Sequence, residues 1–291
     1  MHSHRSRPLP VTLAVLVGAV LAAGCATQDE GAPPAASSSG VACEKSTLQT
    51  VTQGRLTIAT DEPVYEPWFV DNKPDNQKGF EGATAYAIAT KMGFTPAEVK
   101  WVRVPFNAAI QPGPKNFDFD INEFSITEER KQAVDFSAPY YDVTQAVIAL
   151  ESNDAARATN LAGLKGVKLG AQVGTTSLQA IEDTIQPNQD PAVYNSNDDA
   201  KQALINGQID ALVLDLPTAF FVTAAEIDGS KIVGQLPASG NAQEQFGLVL
   251  DKGSPLTACV SQAVEALRSD GTLANIEQEW LANVAGAPVL Q

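Results

Sequence analysis

Histidine is almost missing from this chain of 291 residues, and the only two, His2 and His4, lie in its first 25 residues. Those 25 residues have the pattern of a targeting segment, and both histidines are lost when its leader is removed, so the mature protein has no imidazole. The absence of imidazole excludes a Ser-His-Asp or Cys-His catalytic mechanism and any histidine-ligated metal site. The sequence therefore predicts no metal site in the mature protein.

Basic residues are also few, with 19 Lys and Arg against 34 Asp and Glu, and the formal net charge is −15. Removal of the leader takes away Arg5 and Arg7 but no acidic residue, so the mature chain is more negative still. A strongly acidic surface argues against nucleic acid and anionic membrane surfaces as partners. It does not restrict the charge of a small ligand, because a pocket need not share the sign of the surface.

The N-terminal segment has the features of a secretory signal. A basic start is followed by an apolar run, residues 11–23, that is too short to span a bilayer comfortably and ends in small residues. Residues 1–25 close with LAAGC, which resembles a bacterial lipobox, the motif in which the cysteine, here Cys25, is lipidated and becomes the first residue. Ala22 stands where that motif prefers leucine. A plain secreted protein, with Cys25 removed or unused, is therefore an alternative.

Residues 26–45 include an Ala/Ser/Pro/Gly-rich stretch without apolar periodicity and are predicted to form a flexible tether. From residue 46 onward, short β-rich runs alternate with helical runs, a pattern typical of the α/β class. The predicted strands are residues 55–60, 99–104, 117–121, 143–150, 167–172, 209–214, 231–236 and 246–250. The predicted helices are residues 81–92, 177–186, 198–206, 256–267 and 273–281.

Residues 117–141, FDFDINEFSITEERKQAVDFSAPYY, form the most informative segment. It places Ser125, Thr127 and Arg130 just after a predicted strand and ends in an aromatic pair. A guanidinium matches a carboxylate with two parallel hydrogen bonds, so Arg130 is suited to hold a small anion. The alternative is a surface arginine at a helix start, beside two glutamates.

This segment resembles the signature of the family 3 solute-binding proteins, which capture amino acids outside the cell for ABC importers. The resemblance covers most of residues 47–281. It implies an α/β, two-lobed periplasmic-binding-protein-like fold, each lobe a β-sheet flanked by helices, joined by a two-strand hinge near residues 143–149 and 246–250. The implied boundaries are 46–142 plus 248–291 for lobe 1 and 143–247 for lobe 2. Composition alone does not indicate that lobe 1 is formed by two separate segments of the chain.

The resemblance also assigns the charged ends of an amino-acid ligand. Arg130, in the T-x-x-R element, and Ser125 would bind the α-carboxylate, completed by Thr175 and Thr176 at a predicted helix start, where free N–H groups favour an anion. Ordinary helix capping is the alternative for these threonines. Asp215, at the end of an apolar strand, would pair with the α-ammonium, and a helix-capping role for it is compatible with that.

The walls of the implied pocket are aromatic and acidic. Tyr65 and Phe106 match the stacking aromatics of the family, although an aromatic residue seen in isolation is more often part of the core than of a site. Asp61 is placed to meet the ligand side chain. Glu123 departs from the family pattern, which has a small residue there, so its carboxylate either recognises a cationic or hydrogen-bonding group or points to solvent.

Two cysteines remain in the mature chain, Cys43 and Cys259. An even pair in an oxidising compartment usually bridges, and the resemblance suggests the same pairing. Closing a loop of more than 200 residues gives roughly 5 kcal/mol at most in the chain-entropy model. Two free buried thiols are the alternative.

The resemblance implies a monomeric, lipid-anchored binding protein outside the cytoplasm that delivers an amino acid to the membrane permease of an ABC importer. It implies no catalytic residue and no cofactor. Asp61, Glu66 and Glu123 favour a polar or basic side chain on the ligand. The alternatives are a sensor subunit that signals to a membrane partner, and a dehydratase that uses Glu123 as acid or base. Arg130 together with Asp215 favours an amino acid over a substrate without an ammonium group.

Overall fold

The computed structural model describes residues 43–238, 243–282 and 286–291. The predicted signal peptide, Cys25 and most of the predicted tether lie outside the described residues. Within the described part, no helix combines the length and apolar character needed to cross a membrane. The described residues form two lobes, each built on a five-stranded sheet, which confirms the two-lobed fold that the family resemblance implies.

The first lobe contains a mixed sheet. Its strands are β1 (Leu56–Thr60), β2 (Val99–Arg103), β3 (Phe119–Asp120), β4 (Asp135–Phe136) and β12 (Val249–Leu250). The order is β2-β1-β3-β12-β4, with β1 parallel to β2 and β3, and β12 antiparallel to β3 and β4. All five residues of β1 are buried, as expected for a parallel strand covered on both faces.

Helices cover both faces of this first sheet. They are α1 (Phe80–Lys91), α2 (Phe106–Ala109), α3 (Arg130–Ala133), α8 (Thr257–Ser269) and α9 (Thr272–Leu281). Helices α1, α8 and α9 share one core with the sheet, and Phe106 and Ala109 of α2 lie in a second, smaller core. Gly93 follows α1 with a positive φ of 85°, which ends the helix where the sequence predicts.

The second lobe contains the second sheet, in the order β10-β6-β9-β7-β8. These strands are β6 (Gln145–Leu150), β7 (Leu169–Gln172), β8 (Ala192–Tyr194), β9 (Ala211–Asp215) and β10 (Ser230–Gln235). The helices are α4 (Leu161–Leu164), α5 (Thr176–Ala180), α6 (Asn197–Ile205) and α7 (Leu216–Phe221). Alternate residues of β6 point to opposite faces, with Val147 in the core beneath α4 and α5 and Ile148 in the core beneath α6 and α7.

Two short strands connect the lobes. β5 (Tyr141–Val143) pairs antiparallel with β11 (Glu244–Phe246), and the two lead directly into β6 and toward β12. The predicted two-strand hinge is therefore present. The predicted strand over residues 143–150 is interrupted at Thr144, and the one over 246–250 is interrupted at two residues.

A disulfide joins Cys43 to Cys259, with 5.4 Å between their Cα atoms. This confirms the predicted pairing and rules out two free thiols. The bridge ties the start of the described chain to α8 in the first lobe.

The C-terminal residues 286–291, which the sequence groups with lobe 1, contact the second sheet. Val289 forms a bridge with Gln235 of β10, and Leu290 is buried in the core of the second lobe. Gly234 makes room for this contact, because a Cβ there would lie 2.6 Å from Leu290 Cγ. The other lobe boundaries stay a prediction.

Candidate functional site

A small cavity lies between the lobes, at the carboxyl ends of β1, β3, β7 and β9, where open α/β sheets bind ligands. It has a volume of about 40 Å³, enough for about three water molecules at 10–15 Å³ each. All of the predicted ligand-binding residues except Ser125 line it. The wall residues are Asp61, Tyr65, Phe106, Asn122, Glu123, Arg130, Gln172, Thr175, Thr176, Asn197 and Asp215.

Arg130 begins α3, and its backbone N–H donates to Thr127 Oγ1 at 3.1 Å, so Thr127 supports the helix start. The guanidinium is buried. It donates to the carbonyl of Ser125 at 2.7 Å and to that of Gly174 at 2.9 Å. It also lies over the Phe106 ring, 5.5 Å from the centroid. A guanidinium has five N–H donors, so three remain for another group. The interpretation of Arg130 as a surface residue is wrong.

Ser125 lies behind the cavity wall. Its hydroxyl donates to Glu244 Oε1 at 2.6 Å and lies 3.2 Å from Thr176 Oγ1. Ser125 belongs to the first lobe and Thr176 to the second, so this contact crosses the cleft. Glu244, in the hinge strand β11, is a polar contact of the site that was not predicted from the sequence.

The Gly-Thr-Thr turn brings the start of α5 to the cavity. Gly174 has a φ of 75°, in the region that favours glycine, and a Cβ at this position would lie 2.2 Å from Asn107 Oδ1, so any other residue would displace the Asn107 side chain. Thr175 Oγ1 accepts from Leu178 N at 3.2 Å and caps α5. Capping is thus a role of Thr175, while the hydroxyl of Thr176 is directed toward Ser125.

Asp215 ends β9 and makes no side-chain capping bond to α7, so the capping role considered for it is not observed. Its Oδ1 accepts from Gln145 Nε2 at 2.6 Å, and its carboxyl group lines the same cavity as that of Glu123. Burial raises the pKa of Asp215 to about 8, and the nearby charge of Glu244 acts in the same direction.

Glu123 points into the cavity and not to solvent. Its Oε2 accepts from Thr218 Oγ1 at 3.0 Å, and its backbone N–H donates to Glu81 Oε1 at 2.6 Å. Burial raises its pKa well above the usual range, with further contributions from Asp215 and Glu81. The departure from the family pattern therefore adds an acidic group to the cavity.

Asp61 and Tyr65, which follow β1 in the sequence, form another part of the cavity wall. The Asp61 carboxylate is fixed by the backbone N–H groups of Glu62 at 2.6 Å and Phe106 at 3.1 Å. Burial raises the pKa of Asp61, while those two hydrogen bonds oppose the shift. The ammonium of Lys201, from the second lobe, lies 5.0 Å from the centre of the Tyr65 ring.

Gln145 is a second polar contact that was not predicted. It is buried at the start of β6, donates to Asp215 and to both Glu244 oxygens at 3.2 Å, and accepts from Ser177 Oγ at 2.6 Å. A glutamine opening the apolar run QAVIAL is the signal that could have identified it, because buried amides are normally hydrogen-bonded.

A buried hydrogen bond between the lobes was also missed. Trp68 is fully buried in the first lobe, packs edge-on against Tyr141 and Phe246, and donates from Nε1 to Thr218 Oγ1 at 2.7 Å. The hydroxyl of Thr218 in turn donates to Glu123 Oε2 at 3.0 Å. Nothing in the local sequence indicates that Trp68 faces the second lobe.

The wall is acidic overall. Asp61, Glu123 and Asp215 line the cavity, and Arg130 is the only positively charged residue among the described wall residues. Burial lowers the pKa of Arg130, while Glu244 and Asp215 favour its charged form. The arrangement can bind one carboxylate and, beside it, cationic groups. No group of three or more potential metal-ligating side chains occurs in the described part of the chain.

Comparison with known proteins gives consistent matches. Residues 56–283 match the bacterial extracellular solute-binding proteins, family 3. The L-arginine-binding protein of Pseudomonas aeruginosa is 29% identical over 240 residues, which cover 78% of this chain and 90% of that protein.

The solved structures that are similar to this one include two ancestral binding proteins. An ancestral arginine-binding protein bound to glutamine is 33% identical, with a TM-score of 0.66, covering 79% of this chain and 98% of that one. The ancestral amino acid-binding protein AncCDT-1, described as a precursor of cyclohexadienyl dehydratase, is 28% identical with a TM-score of 0.63, covering 78% and 95%. Because the family match spans most of the sequence, this chain belongs to the bacterial extracellular solute-binding proteins, family 3.

Proposed function

We propose that this protein is a lipid-anchored receptor that captures a cationic amino acid outside the cytoplasm and delivers it to an ABC importer. One observation carries the choice of ligand: a single guanidinium, Arg130, faces three carboxyl groups in one small cavity. A zwitterion would leave the acidic excess uncompensated, whereas a second positive charge on the side chain offsets it. The relative from Pseudomonas aeruginosa is named for L-arginine.

In the proposed complex, the ligand carboxylate lies between Arg130 and Thr176, and its α-ammonium lies at Asp215. The side chain extends between Tyr65 and Phe106 and places its cation near Asp61. The present cavity of about 40 Å³ is smaller than an amino acid, so binding requires the lobes to separate and close again around the ligand.

The test is calorimetric titration of the chain without its signal peptide and Cys25, residues 26–291, refolded to remove carried-over ligand, with the twenty amino acids. L-Arginine or L-lysine is expected to bind tightest with one-to-one stoichiometry, and L-glutamate and L-aspartate are expected not to bind. Arg130→Ala removes one partner of a buried charge pair, which costs about 2–5 kcal/mol and weakens binding by about 30-fold or more.

The matched control is Arg157→Ala, because Arg157 is an exposed arginine that forms an ion pair with Asp154, three residues earlier. This control is expected to bind like the wild type. An acidic amino acid as the tightest ligand, or unchanged affinity in Arg130→Ala, would contradict the proposed ligand and its site.

Lipid anchoring rests on the sequence at residues 21–25 and is tested separately. Replacement Cys25→Ser is expected to release the protein from the membrane fraction into the soluble fraction, with ligand affinity unchanged. Continued membrane association of this variant would reject the anchor while leaving the binding proposal intact.

A further inference from the structure

The backbone at Glu123 is held in an uncommon conformation. Its φ is 53°, in the left-handed region that favours glycine, asparagine and aspartate over glutamate. The backbone N–H donates to Glu81 Oε1, which also accepts the hydroxyl proton of Tyr140. Glu81 is fully buried at the start of α1. A buried scaffold of the first lobe thus fixes the direction of the Glu123 side chain.

The side chain of Glu123 is positioned from the second lobe. Thr218 donates to Oε2 at 3.0 Å and is itself held by Trp68 at 2.7 Å. The carboxyl groups of Glu123 and Asp215 both line the same small cavity and interact there. Two carboxylates that share a site repel each other, which favours retention of a proton on one of them. The pair therefore holds one shared proton.

The surroundings of the pair favour retention of this proton. Burial raises the pKa of Asp215 to about 8 and that of Glu123 well above its usual range. Both carboxyl groups are also close to further acidic groups, and Arg130 is the one cation among the described wall residues. The titratable and charged groups that face the pair are Glu81, Glu244, Asp61, Arg130, Tyr65, Tyr140 and Tyr141.

Resting on the proposed function, we propose that Glu123 is a specificity-determining residue that forms, with Asp215, a two-carboxyl receptor for the ligand's α-ammonium, and that ligand binding releases their shared proton. The ligand ammonium keeps its own protons and takes the position of the shared one, which passes to the solvent. The pair changes from one negative charge to two, and the ammonium compensates the added charge.

The sign of the pH dependence follows from this exchange. The complex holds one proton fewer than the free protein, so affinity rises with pH wherever the free pair is protonated. Below the pKa of the pair, one released proton changes the dissociation constant tenfold per pH unit. The dissociation constant for L-arginine is therefore expected to fall about tenfold between pH 6 and pH 7.

The experiment is calorimetric titration of the mature chain with L-arginine in buffers of different ionisation enthalpy, phosphate and Tris, at pH 6, 7 and 8. The dependence of the apparent heat on the buffer counts the protons released. About one proton per bound arginine is expected at pH 7. Glu123→Gln keeps the shape but cannot share an acidic proton. Its amide can donate to the Asp215 carboxylate in place of the shared proton. The variant is therefore expected to release fewer protons than the wild type, to show a weaker pH dependence, and to bind about tenfold more weakly or worse.

Glu128→Gln is the matched control, because Glu128 is an exposed glutamate five residues further along the same segment. It is expected to keep the proton release and the affinity of the wild type. A ligand-free measurement adds a second readout: the infrared carboxylic-acid C=O absorption of the wild type should be reduced in Glu123→Gln.

The outcomes separate the two proposals. Arginine binding without proton release, or an unchanged pH profile in Glu123→Gln, overturns the two-carboxyl receptor and leaves the proposed function standing. Failure of both arginine and lysine to bind the wild type overturns the cationic ligand and this inference together.

Discussion

Asp120, the last residue of β3, has the most unfavourable environment of the carboxyl groups near the cavity. It is fully buried, and neither side-chain oxygen has a hydrogen-bond partner within the described part of the chain. Burial raises its pKa well above the usual range, and the charges of Glu81 and Asp61 add to the shift while Lys115 opposes it. The folded state thus favours the protonated form of Asp120 more strongly than the unfolded chain does.

This environment predicts that Asp120→Asn stabilises the protein at neutral pH. A raised pKa in the folded state means that stability falls as pH rises from about 4 through the folded pKa, and asparagine removes this fall. The expected gain is about 1–3 kcal/mol at pH 8 and close to zero at pH 4. Urea unfolding at the two pH values measures it, with exposed Asp190→Asn as the control. Equal effects at both pH values would contradict the assignment.

At the scale of single residues, the sequence identifies those cavity-lining residues whose polar side chains follow the end of a strand. Asp61, Glu123, Thr175 and Asp215 each lie within three residues after the end of a predicted strand, and the packing of the strands brings these ends together. The partners that position these residues could not be predicted in the same way. Trp68 reaches Thr218 across 150 positions of sequence, and only the closed packing of the lobes creates that contact.

At the scale of elements, the long periodic segments were predicted with their bounds, whereas several short ones were indicated without bounds or missed. The predicted helix at residues 81–92 corresponds to α1, and the one at 273–281 to α9. Helices α2, α3 and α7 have only four to six residues, so they complete too few turns to show an apolar periodicity. β8 was missed because its three residues show no extended alternation.

The disulfide joins α8 to the start of the described chain. Replacing both Cys43 and Cys259 by serine is expected to lower the free energy of unfolding by about 2–5 kcal/mol, because the long loop is no longer closed in the unfolded chain. Ligand affinity should be unchanged, since neither cysteine lines the cavity. Urea unfolding with and without reductant, together with calorimetry, measures both quantities. Wild-type stability in the double variant would show that the bridge does not contribute.

At the scale of the whole molecule, the two lobes contact each other directly through polar groups. Arg130 donates to Gly174 O, Ser125 contacts Thr176, and Trp68 donates to Thr218. Each such hydrogen bond contributes about 0.5–1.5 kcal/mol net. A ligand promotes closure only through the difference in its affinity for the open and closed forms. The direct contacts between the lobes stabilise the closed form. They therefore reduce the difference in affinity that the ligand must supply to close the protein.

Trp68→Phe tests the contribution of one of these contacts to closure. The variant removes the indole N–H that reaches the second lobe, so the closed form loses about 0.5–1.5 kcal/mol and arginine is expected to bind about two- to tenfold more weakly. Trp101→Phe is the matched control, because Trp101 donates at 3.2 Å to Tyr86, also in the first lobe. Calorimetry should show weaker binding in the first variant alone. Equal losses in both would indicate a packing effect.

The start of the described chain and its last residues are attached to different lobes. Cys43 is bonded to α8 in the first lobe, whereas Leu290 is buried in the second. If Cys25 carries a lipid, the membrane holds the first lobe and the second lobe moves relative to it. A donor dye near residue 43 and an acceptor dye at the C-terminus would then change their energy transfer with every closure, so the native chain provides the attachment points of an optical sensor for its own ligand.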